Sequence, residues 1–68
     1  KVGMVFVEQN NNHVKISWRA LATGVDVSPI AQHFKGGGHA AAAGADIEGS
    51  LSEVQKEVLK KTRELLNL

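Results

Sequence analysis

Three consecutive glycines, Gly36, Gly37 and Gly38, stand directly before His39, and four alanines and Gly44 follow. A glycine loses more conformational entropy on folding than any other residue, so three together suggest that something must come close to the backbone there. Amides freed of side chains can line up as a concave nest that holds an anion. His39 beside them can donate a charge-assisted hydrogen bond to a phosphate oxygen, a contact of about 1.5–3 kcal/mol. The competing reading is a flexible helix end with an incidental histidine. Arg19 is the second candidate, because its guanidinium fork fits phosphate geometry in a way a lysine ammonium does not. Ser17 shares the polar side of the same strand-like run and offers one more donor. There the competing reading is a solvated strand face shared with Lys15.

The other candidates offer less chemistry. Trp18 lies on the apolar side of its run and reads as core. His13 falls in a turn and His33 on a short helix, so both read as surface residues. The three histidines form no helical i, i+4 pair and have no carboxylate at motif spacing, which argues against a zinc site. Asp26, Asp46 and Glu48 read as scattered turn and cap acids rather than a general acid–base pair. No nucleophile–base arrangement is visible. The residues describe a grip on an anion, not a reaction centre.

The elements that must position this grip follow from periodicity. Val2–Gln9 is β-branched and aromatic on both alternating sets, as in a strand buried on both faces. Asn10–His13 is a turn, since asparagine tolerates left-handed backbone. His13–Ala20 alternates, with Val14, Ile16, Trp18 and Ala20 on one face and Lys15, Ser17 and Arg19 on the other, so the two strands form a hairpin. Ser28 and Pro29 provide a helix start, with Ile30, Ala31 and Phe34 sharing one side and Gly36–Gly38 ending the helix. Extended structure is expected over 42–47. Ser50–Glu53 is a capping box, and Leu51, Val54, Val58, Leu65 and Leu66 then form an apolar stripe, with Glu53, Glu57, Lys60, Lys61 and Arg63 facing solvent. The order β-β-α-β-α predicts an α+β fold, a small mixed sheet with helices packed on it.

Composition bounds the function. A chain of 68 residues forms one domain with a small core, and without cysteine it has neither disulfides nor thiolate metal sites. That suits a reducing cytoplasm. No apolar run approaches a membrane span, and no signal peptide is visible. The first residue is Lys1 and a strand begins at once, so the chain reads as a piece of a longer protein. A net charge of +1 gives little general attraction to a polyanion, so anion recognition must be local.

The run GGGHAAAAGA is similar to the Gly-Gly-Gly-His-x-x-Ala-Ala-Gly signature of the DHH-associated domain, the C-terminal domain of Asp-His-His phosphoesterases of the RecJ-like and oligoribonuclease type. VKISWRA resembles the preceding strand, VDVSPIAQHF its short helix, and IEGSLSEVQKEVLKKTRELL its closing helix. The resemblance implies an N-terminal DHH domain that binds two metal ions, usually manganese, and activates water, with no cofactor in the present segment. It implies that His39 and the amides of Gly36, Gly37 and Gly38 hold a phosphate, and that Arg19 holds a phosphate or a sugar-proximal group. Implied substrates are short RNA, single-stranded DNA, 3′-phosphoadenosine 5′-phosphate and cyclic dinucleotides. Lys35 replaces a frequent fourth glycine, and Ala20 a serine after the arginine. A lysine at position 35 could add phosphate attraction or mark a helix end. The upstream half of a typical domain is not represented, which is expected to leave a sheet edge open to homodimer pairing. Two alternatives remain at this point. One is a tRNA-binding and dimerisation domain like that closing alanyl-tRNA synthetases. The other is a self-sufficient hydrolase with His39 as general acid, which lacks an accompanying carboxylate cluster.

Overall fold

The computed structural model describes residues 2–67. The elements run β1 (Val2–Gln9), β2 (His13–Ala20), α1 (Ser28–His33), β3 (Gly37–Gly38), β4 (Ala42–Glu48) and α2 (Leu51–Leu66). The α+β class and the expected element order hold, with the two-residue β3 added where glycines were expected only to end a helix. The four strands lie in the order β1-β2-β4-β3. Every pairing is antiparallel, so the expected mixed sheet is an antiparallel one. Among the described residues no helix is long and apolar enough to cross a membrane.

Both helices cover one face of the sheet. Val14, Ile16 and Trp18 of β2 are almost fully buried there, with Val27, Ile30 and Ala31 around α1, Ala43 and Ala45 of β4, and Val54 and Val58 of α2. The other face is open. β1 departs from expectation accordingly: Val2, Met4 and Phe6 pack on the core, but Val5 and Val7 are 59% and 47% exposed. The apolar pattern on both sides of β1 suggested two covered faces, yet β1 is an edge strand and helices cover only one side.

Local chemistry fixes the connections. Asn11 and Asn12 both take left-handed backbone (φ 65° and 61°), which closes the β1–β2 hairpin through a three-residue loop. α1 begins at Ser28 with Val27 as N-cap, so Ser28 does not cap as expected. Asp26 bonds into the first turn instead: its Oδ1 accepts from the Ser28 amide at 2.9 Å and the Ser28 hydroxyl at 2.6 Å. Those bonds, the hydroxyl first, hold the Asp26 carboxyl below its ordinary value. At α2 the capping box is present as expected, with the Glu53 amide donating to Ser50 Oγ at 3.3 Å.

The buried stripe of α2 runs Val54, Val58, Thr62, with Leu66 partly buried, while Leu65 is 45% exposed. These are successive i, i+4 steps, and residue 65 falls off the line. Thr62 is buried because Trp18 needs a partner: the indole Nε1–H donates to Thr62 Oγ1 at 3.3 Å. Trp18 also stacks on Phe34, with centroids 6.1 Å apart and planes 12° from parallel. Both ends of the indole are thus fixed, and with them the strand segment that carries Ser17 and Arg19.

Candidate functional site

Strand register decides what shares the open face. Arg19 pairs with Gly3 on one side and Ala42 on the other. Ala42 in turn exchanges two hydrogen bonds with His39, at 2.8 and 3.2 Å. Gly3, Arg19, Ala42 and His39 therefore form one cross-strand row. Two inter-strand spacings, about 10 Å in all, separate the backbones of Arg19 and His39, with only the Ala42 methyl between them. The neighbouring row is Val5, Ser17, Gly44 and Gly37. Ser17, Arg19, Gly37, Gly38, Ala42 and Gly44 line a shallow open hollow of about 290 Å³. Four of the six residues expected to bind an anion thus meet, and His39 stands at the end of the Arg19 row.

The three glycines do different things. Lys35, at φ 65°, is the left-handed residue that ends α1, and it fills the place usually given to glycine. The Lys35 amide donates to the Gln32 carbonyl at 2.9 Å and the Gly36 amide to the Ala31 carbonyl at 2.7 Å, which together make a Schellman turn. The Gly36 amide is therefore committed to the helix and is not free to hold an anion, contrary to expectation. Gly36 is glycine because β4 passes close by: a methyl there would lie 2.7 Å from the Ala45 Cβ. Gly38 is glycine because its φ is 148° and a methyl would lie 2.6 Å from the Ala42 carbonyl oxygen. Gly37 has neither reason, since a methyl there would meet nothing within 4 Å. It leaves the floor of the hollow bare.

Antiparallel ladders alternate bonded and non-bonded pairs. His39–Ala42 is a bonded pair, so Gly38–Ala43 is non-bonded and Gly37–Gly44 is bonded. The Gly38 amide is thus the one of the three that points outward, along a sheet edge with no further strand among the described residues. The expected three-amide nest is therefore not formed, and the one free amide faces away from β4 and from the Ser17 and Arg19 side of the sheet. The Ala40 and Ala41 carbonyls, in the β3–β4 loop, accept from the Val27 and Ala20 amides at 3.0 and 2.9 Å. The loop bearing His39 is therefore tied both to the start of α1 and to the end of β2.

Among the described residues Arg19 makes no ion pair and no side-chain hydrogen bond, whereas His13 Nδ1 lies 2.9 Å from Asp46 Oδ1. That pair was invisible in the sequence, where both residues read as isolated; Asp46 and Glu48 lie in β4, not in loops. Lys35 stands with His33, Asp46, Glu48 and Glu57 around a separate hollow, so it does not join the Arg19 cluster. Among the described residues no group of three or more metal-ligating side chains comes together.

The family model described as the DHHA1 domain matches residues 1–68. A bifunctional oligoribonuclease and PAP phosphatase, NrnA, of Mycoplasma genitalium is 38% identical over 63 residues, which cover 90% of this chain and 19% of that protein. The chain spans about a fifth of the length of this relative.

Proposed function

Because this chain belongs to the DHHA1 domain family, we propose that it is the substrate-gripping domain of a cytoplasmic, metal-dependent DHH phosphoesterase acting on short oligonucleotides or related phosphonucleotides. The observation that carries this reading is the row linking Arg19 to His39 across Ala42, beside a floor left bare by Gly37 and Gly44. In this reading the Arg19 fork takes two oxygens of one phosphate. His39 donates a hydrogen bond from the opposite side, Ser17 adds a donor, and Gly37 leaves room for the phosphate to reach the sheet. The relative is a bifunctional oligoribonuclease and PAP phosphatase by name, which supports a nucleotide ligand.

The manganese pair that the resemblance implies has no ligand cluster among the described residues. It is assigned to an N-terminal DHH domain, where it would activate the attacking water. The residues of this chain bind and orient the nucleotide.

The test is binding of 5′-phosphorylated diadenylate and unphosphorylated ApA to the wild type, Arg19→Ala and His39→Ala. The phosphorylated ligand is expected to bind more tightly. Each substitution should lower its affinity about tenfold or more, the range for a charge-assisted bond, without changing the melting temperature. If neither substitution weakens binding, the reading fails. Tight binding of tRNA with no preference for the phosphorylated dinucleotide would favour the synthetase-like alternative.

A further inference from the structure

We infer that Lys15 holds a second backbone phosphate, so that the open face of the sheet receives an oligonucleotide of at least three nucleotides laid along β2. This rests on the phosphate grip at Arg19 proposed above and extends it. Lys15, Ser17 and Arg19 alternate on one side of β2 and all are exposed. Four residues of strand place Lys15 about 13 Å from Arg19, roughly two extended sugar–phosphate repeats.

What leaves Lys15 available is an acid held elsewhere. Asp46 is its direct cross-strand partner on β4, a position from which opposite charges normally pair. The Asp46 carboxylate instead accepts from His13 Nδ1 at 2.9 Å, and among the described residues Lys15 makes no ion pair. On the β1 side, Lys15 and Ser17 face Val7 and Val5, which are 47% and 59% exposed. Neither side chain is an acid that would repel a phosphate, and both offer apolar surface to sugars and base faces. The track therefore crosses β2 obliquely, from the β4 side at Arg19 to the β1 side at Lys15, away from Asp46. The next row, Gln9, His13 and Glu48, adds no lysine or arginine and ends in a carboxylate. The footprint is short, which suits a chain whose net charge is +1. A positively charged track that follows the backbone without reading base edges is the usual way to hold single strands.

The experiment measures fluorescence anisotropy of labelled 5′-phosphorylated diadenylate and tetra-adenylate with the full-length protein, divalent cations being chelated to prevent turnover. The wild type should bind the tetranucleotide about three- to fivefold more tightly than the dinucleotide, the upper range for an exposed ion pair. Lys15→Gln should abolish that advantage and leave dinucleotide affinity within about twofold. It should also reduce the slope of log affinity against log salt for the tetranucleotide by about 0.7, the value for one phosphate contact on a single strand. Lys56→Gln, at an exposed position on α2, should change neither quantity. Equal wild-type affinity for the two lengths, an unchanged ratio in Lys15→Gln, or an equal loss in Lys56→Gln would each overturn the inference. If Arg19→Ala weakens both ligands while Lys15→Gln alters neither, only the extension falls. If Arg19→Ala also alters neither, the phosphate grip itself falls.

Discussion

The two faces of β2 are made from alternate residues of one eight-residue strand, yet they are under opposite physical constraints. On the covered face Val14, Ile16 and Trp18 are 0–1% exposed and fully engaged with α1, α2 and β4. On the open face Lys15, Ser17 and Arg19 are exposed, and among the described residues none of the three makes an ion pair or side-chain hydrogen bond. Substitutions on the covered face should therefore act on stability, and those on the open face on affinity. The period of two lets one strand hold a rigid core and present free donors on its other side.

The largest effect expected is at Trp18. Removing a buried tryptophan side chain costs about 3–5 kcal/mol, and a domain of this size has only several kcal/mol of stability in total. Trp18→Ala should therefore abolish cooperative unfolding, as followed by far-ultraviolet circular dichroism in urea. Trp18→Phe retains a large apolar side chain but loses the bond to Thr62, and it should fold with reduced stability. A Trp18→Ala protein melting within about 1 kcal/mol of wild type would show that the covered face does not carry the fold.

The second contrast lies within a two-residue strand. Gly38→Ala places a side chain at φ 148° against the Ala42 carbonyl and should destabilise by about 1–3 kcal/mol. Gly37→Ala adds a methyl to open space and should leave stability within about 0.5 kcal/mol. It should nevertheless lower affinity for 5′-phosphorylated diadenylate by about 1 kcal/mol, roughly fivefold, because the methyl stands on the floor of the hollow. Equal thermal stability of the two variants would remove the distinction, and unchanged binding by Gly37→Ala would mean the phosphate does not come down to the sheet.

How much of this was legible in the sequence depends on distance along the chain. The β1–β2 hairpin follows from adjacent runs and three asparagines, and the capping box from four residues, so both could be read directly. The residue types of the grip could be read as well, because arginine, histidine and glycines announce anion chemistry individually. Their adjacency could not. It depends on the β2–β4 register, which sets Arg19 opposite Ala42 and so brings in His39. The His13–Asp46 and Trp18–Thr62 contacts join residues 33 and 44 positions apart, and neither leaves a local signal. Thr62 gives no local signal, because a threonine in an otherwise charged segment reads as surface until the indole it bonds is in view. The glycines after α1 read as its end, whereas Lys35 makes that turn and leaves Gly37 and Gly38 to form a strand.

The smallest effect belongs to a residue on neither face. Asp26 is exposed, yet it braces the start of α1 through Ser28, and the adjacent Val27 amide holds the Ala40 carbonyl of the His39 loop. The hydroxyl and then the amide of Ser28 lower the Asp26 carboxyl in the folded state from its ordinary 3.8. A depressed folded value means that the contribution to stability is complete above the unfolded value and disappears as pH falls through the folded one. The melting-temperature gap between wild type and Asp26→Ala should thus be small and constant above about pH 5, then close on further acidification. Glu64, also lowered by its bond to Lys61, adds the same acid sensitivity to both proteins and drops out of the difference. Thermal melts across this acid range check the sign. A gap independent of pH would mean that the charged carboxylate is not what braces the helix start, and that the His39 loop depends on the covered face alone.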